Sequence, residues 1–156
     1  MSNFDPASFL FATTEEASST QSVPVPVGEY PAIITKVDAR LWNSKDGTKS
    51  GMALDIIYEL DDAALKTLLD RQKITVKQGI MLDMTDNGGL DNGKGKNVTL
   101  GRLREAVNQN TPGKPWSPSM LEGQMCKVAV KHRVVEANIY SEDTIYSEVG
   151  GTLRLA

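Results

Sequence analysis

The sequence predicts a mainly β protein with about five strands, one or two short helices and a flexible N-terminal tail. Several segments alternate apolar and polar residues, which is typical of strands that bury one face. Helical spacing of apolar residues is confined to short stretches, and residues 1–22 contain acidic groups but no lysine or arginine. The chain has 156 residues, 40% of them hydrophobic, so it can bury a core without disulfides or bound metals.

Five segments have the alternation and the composition of strands, namely residues 29–41, 52–60, 74–84, 126–134 and 144–155. The first is expected to present Ile33, Thr35, Val37, Ala39 and Leu41 on one face. In the third, Gln78 interrupts an otherwise apolar face. In the last, Gly150 and Gly151 predict a bulge or a bend.

Three shorter stretches have helical features. Residues 61–69 open with two acidic residues, which favour a helix N-terminus. Residues 99–108 carry apolar side chains at helical spacing, and Ser117 followed by Pro118 is typical of a helix start. Strands joined by short helices fit a small five-stranded barrel of the OB type, the commonest such design at this size. A β-sandwich and a mixed α+β sheet stay open as alternatives.

Charge is unevenly distributed along the chain. The net charge is −3, yet residues 92–133 carry eight basic groups against Glu105 and Glu122, a local charge of +6. A basic block in an acidic protein indicates a local anion site. The alternative is a solvated face whose charges pair with acidic residues elsewhere in the fold.

Both tryptophans lie beside lysines in expected loops. Trp42 ends the first strand next to Lys45 and Lys49, and Trp116 follows Lys114. Aromatic rings next to cations suit a single-strand binding surface, where rings stack on bases and cations hold phosphates. The alternative is that each tryptophan belongs to the core or its edge.

Residue types for catalysis are scarce, so the protein is not expected to be an enzyme or to hold a cofactor or metal. Residues 88–94 match the GxxxxGK pattern of a phosphate-binding loop, but Gly95 stands where Ser or Thr must hold magnesium. A small nucleotide-binding enzyme built on this loop is the least favoured alternative. Cys126 and His132 are the only thiol and imidazole, and on one strand they would lie ~20 Å apart. That distance excludes a nucleophile–base pair within one chain.

The expected tail, residues 1–22, contains all three phenylalanines, Phe4, Phe9 and Phe11. Aromatic residues concentrated in an acidic tail indicate a docking segment, for this chain, a second copy or another protein. The alternatives are that this segment packs on its own domain or folds as a short N-terminal turn. The chain lacks an apolar run of the ~18–20 residues that a membrane span needs, and its start lacks a basic leader, so we expect a cytoplasmic protein.

Several segments resemble a known family. They are residues 25–34, residues 100–107 after a Gly-Lys-Gly-Lys-Asn loop, residues 120–123, and the Tyr-Ser-Glu-Val stretch ending at Val149. Together they are similar to bacteriophage single-stranded-DNA-binding proteins with an OB fold, over roughly residues 23–149. The resemblance implies a non-enzymatic protein of the host cytoplasm that coats DNA during replication or recombination. Many single-strand binders carry an acidic tail at the C-terminus, whereas here the acidic, aromatic tail is N-terminal.

These observations predict an OB-like single-strand-binding domain over residues 23–156 and a tail over residues 1–22. The expected nucleic-acid-binding residues are Trp42, Lys45, Lys49, Lys94, Lys96, Arg102, Arg104, Lys114, Trp116, Lys127, Lys131 and Arg133. The expected partner-binding residues are Phe4, Phe9 and Phe11. Expected partners are single-stranded DNA, replication or recombination proteins, and further copies of the chain. The alternative function is a phage structural or adaptor protein that acts through its Phe-rich tail.

Overall fold

A computed structural model describes residues 4–19, 22–136 and 144–155. The helices are α1 (Pro6–Phe9), α2 (Ala63–Leu69) and α3 (Val98–Ala106), with a 3₁₀ turn at Pro118–Leu121. The strands are β1 (Gly28–Asn43), β2 (Ser50–Leu60), β3 (Thr75–Met81), β4 (Met125–Val135) and β5 (Thr144–Leu153). In the described part of the chain no helix is both long and apolar enough to cross a membrane.

The five strands form one antiparallel sheet in the order β3-β2-β1-β4-β5. The prediction of a mainly β protein with five strands is therefore confirmed. The expected closure into a barrel is wrong, because no ladder joins the edge strands β3 and β5 within the described ranges. Closure requires that the first and last strands pair. Here α3 packs beside β5, and its residues help to form the walls of a gap between the two edges.

The core lies on one face of this sheet. In β2 the side chains of Leu54, Ile56, Tyr58 and Leu60 are buried, as its alternation predicts. Gln78 is the buried polar residue of β3, and its Oε1 accepts a hydrogen bond of 2.6 Å from Tyr58 Oη. Burial raises the pKa of Tyr58. The interruption seen in the sequence is therefore a satisfied polar pair inside the core.

β1 departs from its expected pattern at a bulge. Ile34 pairs with Tyr58 and Lys36 with Ile57, so Thr35 is an extra residue. The extra residue reverses which side chains face inward. Ala32 and Ile34 are buried before the bulge and Val37 packs against the core after it, whereas Leu41 is exposed. The expected face of odd-numbered residues is thus wrong for the first half of the strand.

The described residues form three short α-helices where one or two were expected, because α1 lies in the expected tail; α2 and α3 begin close to their predicted starts. Asp62 caps α2 by accepting a 2.8 Å hydrogen bond from Leu65 N. α3 buries Leu100, Leu103 and Ala106 against the core. A register shift between β4 and β5 leaves Gly150 unpaired between Val149 and Gly151, which confirms the expected bulge.

The chain enters the sheet through a segment clamped at Val25, which is buried. Val25 N donates to Ser147 Oγ at 2.8 Å, and Val25 O lies 2.6 Å from His132 Nε2. His132 and Ser147 face each other across β4 and β5. These two contacts of Val25, which we call the clamp, fix the point at which the N-terminal segment joins the sheet.

Because the thiol of Cys126 is buried, the free energy of unfolding is expected to fall at alkaline pH. Burial raises the pKa of Cys126 to about 11. As pH rises from about 9 to 11 the unfolded chain ionises this thiol and the native chain does not, so the free energy of unfolding falls by up to about 1.4 kcal/mol per pH unit. Denaturant titrations at several pH values are expected to show a shallower fall for Cys126→Ala. Equal slopes would contradict the prediction, since both proteins retain Tyr58.

Candidate nucleic-acid interface

A cleft beside α3 brings together three of the predicted cations. It has a volume of about 450 Å³, and two loops form its walls, residues 92–97 and 110–114. Lys96, Arg104 and Lys114 line it together with uncharged residues, and its lining, all within the described ranges, contains no acidic residue. We call it the loop cleft. A cluster of cations with no carboxylate among them favours an anionic ligand.

Four hydrogen bonds of Asn97 anchor the first loop of this cleft, residues 92–97. Its Nδ2 donates to the carbonyl oxygens of Asp83 at 2.8 Å and Asp91 at 3.0 Å, and its Oδ1 accepts from Asp83 N at 2.8 Å. Its backbone N donates to Asp83 Oδ2 at 2.9 Å. Asn97 has a φ of 51°, a left-handed conformation that asparagine tolerates. The glycine-rich loop, residues 88–96, is therefore anchored at its α3 end, close to Lys96.

A second group of contacts orients Arg104. Its guanidinium lies 4.2 Å from the centroid of the Trp116 ring, and its Nε donates to Gln109 O at 3.1 Å. Trp116 Nε1 donates to Gln109 Oε1 at 2.9 Å, and the ring packs against the core. Burial lowers the pKa of Arg104, and a guanidinium stays charged nonetheless. Trp116 thus serves as the platform for a partly desolvated cation.

Two further predicted cations line a different cleft, between the edge strands. This edge cleft, of about 330 Å³, has walls from β3, α3, β4 and β5. Arg102 and Lys131 belong to its lining, together with Lys77, Glu148 and the glycines of both edges. Sequence patterns did not single out Lys77, because its position near β5 depends on the arrangement of the whole sheet.

Arg133 and Lys127 line neither cleft. Arg133 Nε pairs with Glu148 Oε1 at 2.5 Å, and its guanidinium lies 5.1 Å from the Tyr146 ring centroid. Lys127 is half-buried in β4, opposite Pro31 and Leu153. Tyr140, which repeats the Tyr146 motif in the sequence, lies outside the described residues.

The β1–β2 hairpin places Lys45 and Lys49 on an exposed loop, and neither residue lines either cleft. Asp46 organises this loop, accepting from Ser44 Oγ at 2.6 Å and from Thr48 N at 3.0 Å. These hydrogen bonds lower the pKa of Asp46 to about 2. Lys94 is likewise exposed and lines neither cleft.

Trp42 lies flat against Gly51 of β2. A Cβ at Gly51 would stand 2.7 Å from Trp42 Nε1, and that buried nitrogen has no hydrogen-bond partner among the described residues. A buried, unpaired N–H costs about 1–3 kcal/mol. Rotation of the ring would relieve this cost, and the stacking role of Trp42 stays a prediction.

Gly51→Ala is expected to push the Trp42 ring outward. The result should be a red shift of tryptophan fluorescence and a loss of stability of about 1–3 kcal/mol from overpacking. Gly151→Ala is the matched control, because nothing lies within 4 Å of a Cβ there. An unshifted spectrum together with the stability of the control would contradict the prediction.

The N-terminal segment exposes its aromatic residues. Phe4, Phe9 and Phe11 are 88%, 75% and 86% exposed. Asp5 caps the short helix α1 by accepting from Ala7 N at 3.2 Å. Phe4 and Phe9 line a shallow apolar groove with Pro6. The segment therefore contains a local helical turn, one of the alternatives that its sequence leaves open.

The described residues contain no group of three or more His, Cys, Asp or Glu side chains arranged to hold a metal ion. Asp83 and Asp91, which flank the glycine-rich loop, are instead engaged with that loop: Asp91 Oδ1 accepts from Gly93 N at 2.9 Å.

No protein-family model matches this chain, and no curated protein is significantly similar to it.

Proposed function

We propose that the protein is a non-enzymatic, sequence-independent single-stranded-DNA-binding protein of phage type, which coats and protects DNA during replication or recombination. The observation that carries this proposal is the loop cleft, where Lys96, Arg104 and Lys114 line one depression without an acidic residue among the described residues of its wall. Contacts to phosphates carry no sequence information, so cations alone give general binding.

The charge distribution supports the same function. The whole chain carries −3, so a polyanion is repelled from most of its surface and attracted to the clefts beside α3. Arg104 is held partly desolvated on Trp116, where a phosphate interacts with it more strongly than in open water.

The finer fold assignment belongs to the same proposal. The sheet order sets β3 and β5 on two sides of one gap, and α3 lies between β3 and β4 in the chain. This arrangement is compatible with the partly open OB design, whose strands and loops bind oligonucleotides. Cytoplasmic location, self-association and contacts with replication or recombination proteins are further parts of the proposal.

Fluorescence anisotropy with labelled oligo-dT of about 30 nucleotides tests the function directly. We expect binding that weakens steeply as salt is raised, and much weaker binding to a duplex of the same length. Circular dichroism should first show that the protein is folded. A folded protein that fails to bind at low salt would refute the proposal.

Lys94→Ala combined with Lys96→Ala tests the glycine-rich loop. Each phosphate contact adds about 0.7 to the slope of log Kobs against log salt for single strands. If both lysines reach phosphates, the slope should fall by about 1.4. Lys36→Ala combined with Lys66→Ala is the control, because neither residue lines either cleft. A slope equal to that of the control would remove this loop from the interface.

A second candidate function, a phage structural or adaptor protein, is favoured by the exposed phenylalanines of the N-terminal segment. Apolar side chains concentrated on a short helical turn are typical of peptides that dock in a groove of another protein. Deletion of residues 1–22 distinguishes the two functions. A DNA-binding protein keeps its affinity for oligo-dT, whereas an adaptor loses its protein partner.

A further inference from the structure

The edge cleft has the features of a second phosphate site. Its cations are Lys77, Arg102 and Lys131, which come from β3, α3 and β4, and its acidic residue is Glu148 of β5. Arg133 engages Glu148 Oε1 at 2.5 Å, while Lys131 Nζ lies 4.0 Å from Oε2. Glu148 is therefore already neutralised from outside the cleft, which leaves an excess of positive charge within it.

Lys77 forms only a weak ion pair, with Asp55 of β2. Its Nζ lies 3.9 Å from Asp55 Oδ1, at the limit of an ion pair, while Arg40 Nε holds the other oxygen at 2.8 Å. The Lys77 side chain is largely exposed, and an exposed pair of this kind contributes little. Lys77 is therefore able to turn toward a phosphate in the cleft.

The backbone of the edge cleft favours close approach of a ligand. Gly79, Gly150 and Gly151 lie in its lining, and both edge strands present backbone groups that no neighbouring strand pairs in the described part of the sheet. Backbone N–H groups that face a gap next to cations add donors for a phosphate. Because glycine has no side chain, the sugar-phosphate backbone of a polynucleotide can approach these N–H groups closely.

α3 separates the edge cleft from the loop cleft. Arg102 and Arg104 are two positions apart, which is about 200° around a helix, and they line the edge cleft and the loop cleft respectively. A helix with its side chains is about 10–12 Å across. A short stretch of single strand is long enough to cross it.

We propose that one single strand crosses α3, with phosphates in the loop cleft and in the edge cleft, and that Lys77 belongs to the interface. This inference rests on the proposed single-strand binding and adds its path over the protein. The ligand class is a single-stranded polynucleotide, held through its phosphates on both sides of one helix.

The test is Lys77→Ala combined with Arg102→Ala, compared with wild type and with Lys36→Ala combined with Lys66→Ala. Affinities are measured by anisotropy for oligo-dT of about 5, 10, 20 and 30 nucleotides. We expect the edge-cleft variant to lower the salt slope on the longest oligomer by about 1.4, two phosphates at about 0.7 each. Its affinity for the shortest oligomer should equal that of wild type, because the shortest oligomer fills only the loop cleft.

The possible outcomes distinguish the proposed path of the DNA strand over α3 from the proposed single-strand binding itself. Wild-type binding with an unchanged slope and length dependence in the variant would overturn the path and leave single-strand binding intact. Failure of the wild type to bind any oligomer would overturn both. An equal loss of affinity at every length, with native circular dichroism, would also overturn the path, since it would place both residues at one site.

Discussion

Replacement of Lys96, Arg104 and Lys114 together is expected to lower the affinity for oligo-dT about 100-fold at low salt. Each of the three cations lines the loop cleft, and a hydrogen-bonded contact contributes about 1 kcal/mol net. Three such contacts amount to about 3 kcal/mol, which is about 100-fold in Kd. The salt slope should fall by about 2.1, because three phosphate contacts are lost.

The variant is best made as Lys96→Ala, Arg104→Gln and Lys114→Ala, so that a side chain still covers Trp116. Near-ultraviolet circular dichroism and tryptophan fluorescence then verify that the ring keeps its place. The double variant of Lys36 and Lys66 is again the control. A triple variant that binds as tightly as this control would exclude the loop cleft as the binding site.

Leu103→Ala should produce the largest loss of stability. Leu103 is fully buried and fixes α3 to the core between the two arginines that line the clefts. Removal of a buried leucine side chain costs about 2–5 kcal/mol, because the transfer energy is lost and a cavity remains. For a chain of this length a loss of about 3 kcal/mol lowers Tm by roughly 6–12 °C.

Leu68→Ala provides the comparison, because Leu68 lies in α2 with its side chain largely exposed. Its effect should stay within about 0.5 kcal/mol. Thermal unfolding followed by circular dichroism measures both variants. Equal Tm values for the two would show that α3 does not depend on Leu103 for its position.

The sequence predicted β2 well because its apolar side chains recur at every second residue. β3 keeps the same alternation of burial, with Gln78 at an inward position where Tyr58 satisfies it. The same rule failed in β1, where one extra residue at Thr35 reverses the faces. The bulge depends on how β1 pairs with β2, and no residue type in β1 predicts it. Closure of the sheet was overestimated for a related reason, since the distance between β3 and β5 depends on what packs between them.

The loop cleft was partly foreseeable. The basic block of residues 92–133 contains Lys96, Arg104 and Lys114, so their common charge was visible in the sequence. The sequence did not show that Arg102 lines a different cleft from these three residues, because that depends on which side of α3 faces which loop. Lys77 lies outside the block and is joined to Arg102 only by the fold.

The clamp at Val25 sets a limit on how far the aromatic segment can reach. Fourteen residues lead from Phe11 to Val25, and a fully extended chain of that length spans about 50 Å. A protein captured by Phe9 and Phe11 would therefore stay within about 50 Å of the clamp. One molecule confined to that radius has a local concentration of about 3 millimolar, so even a weak partner would be kept beside the proposed DNA ligand.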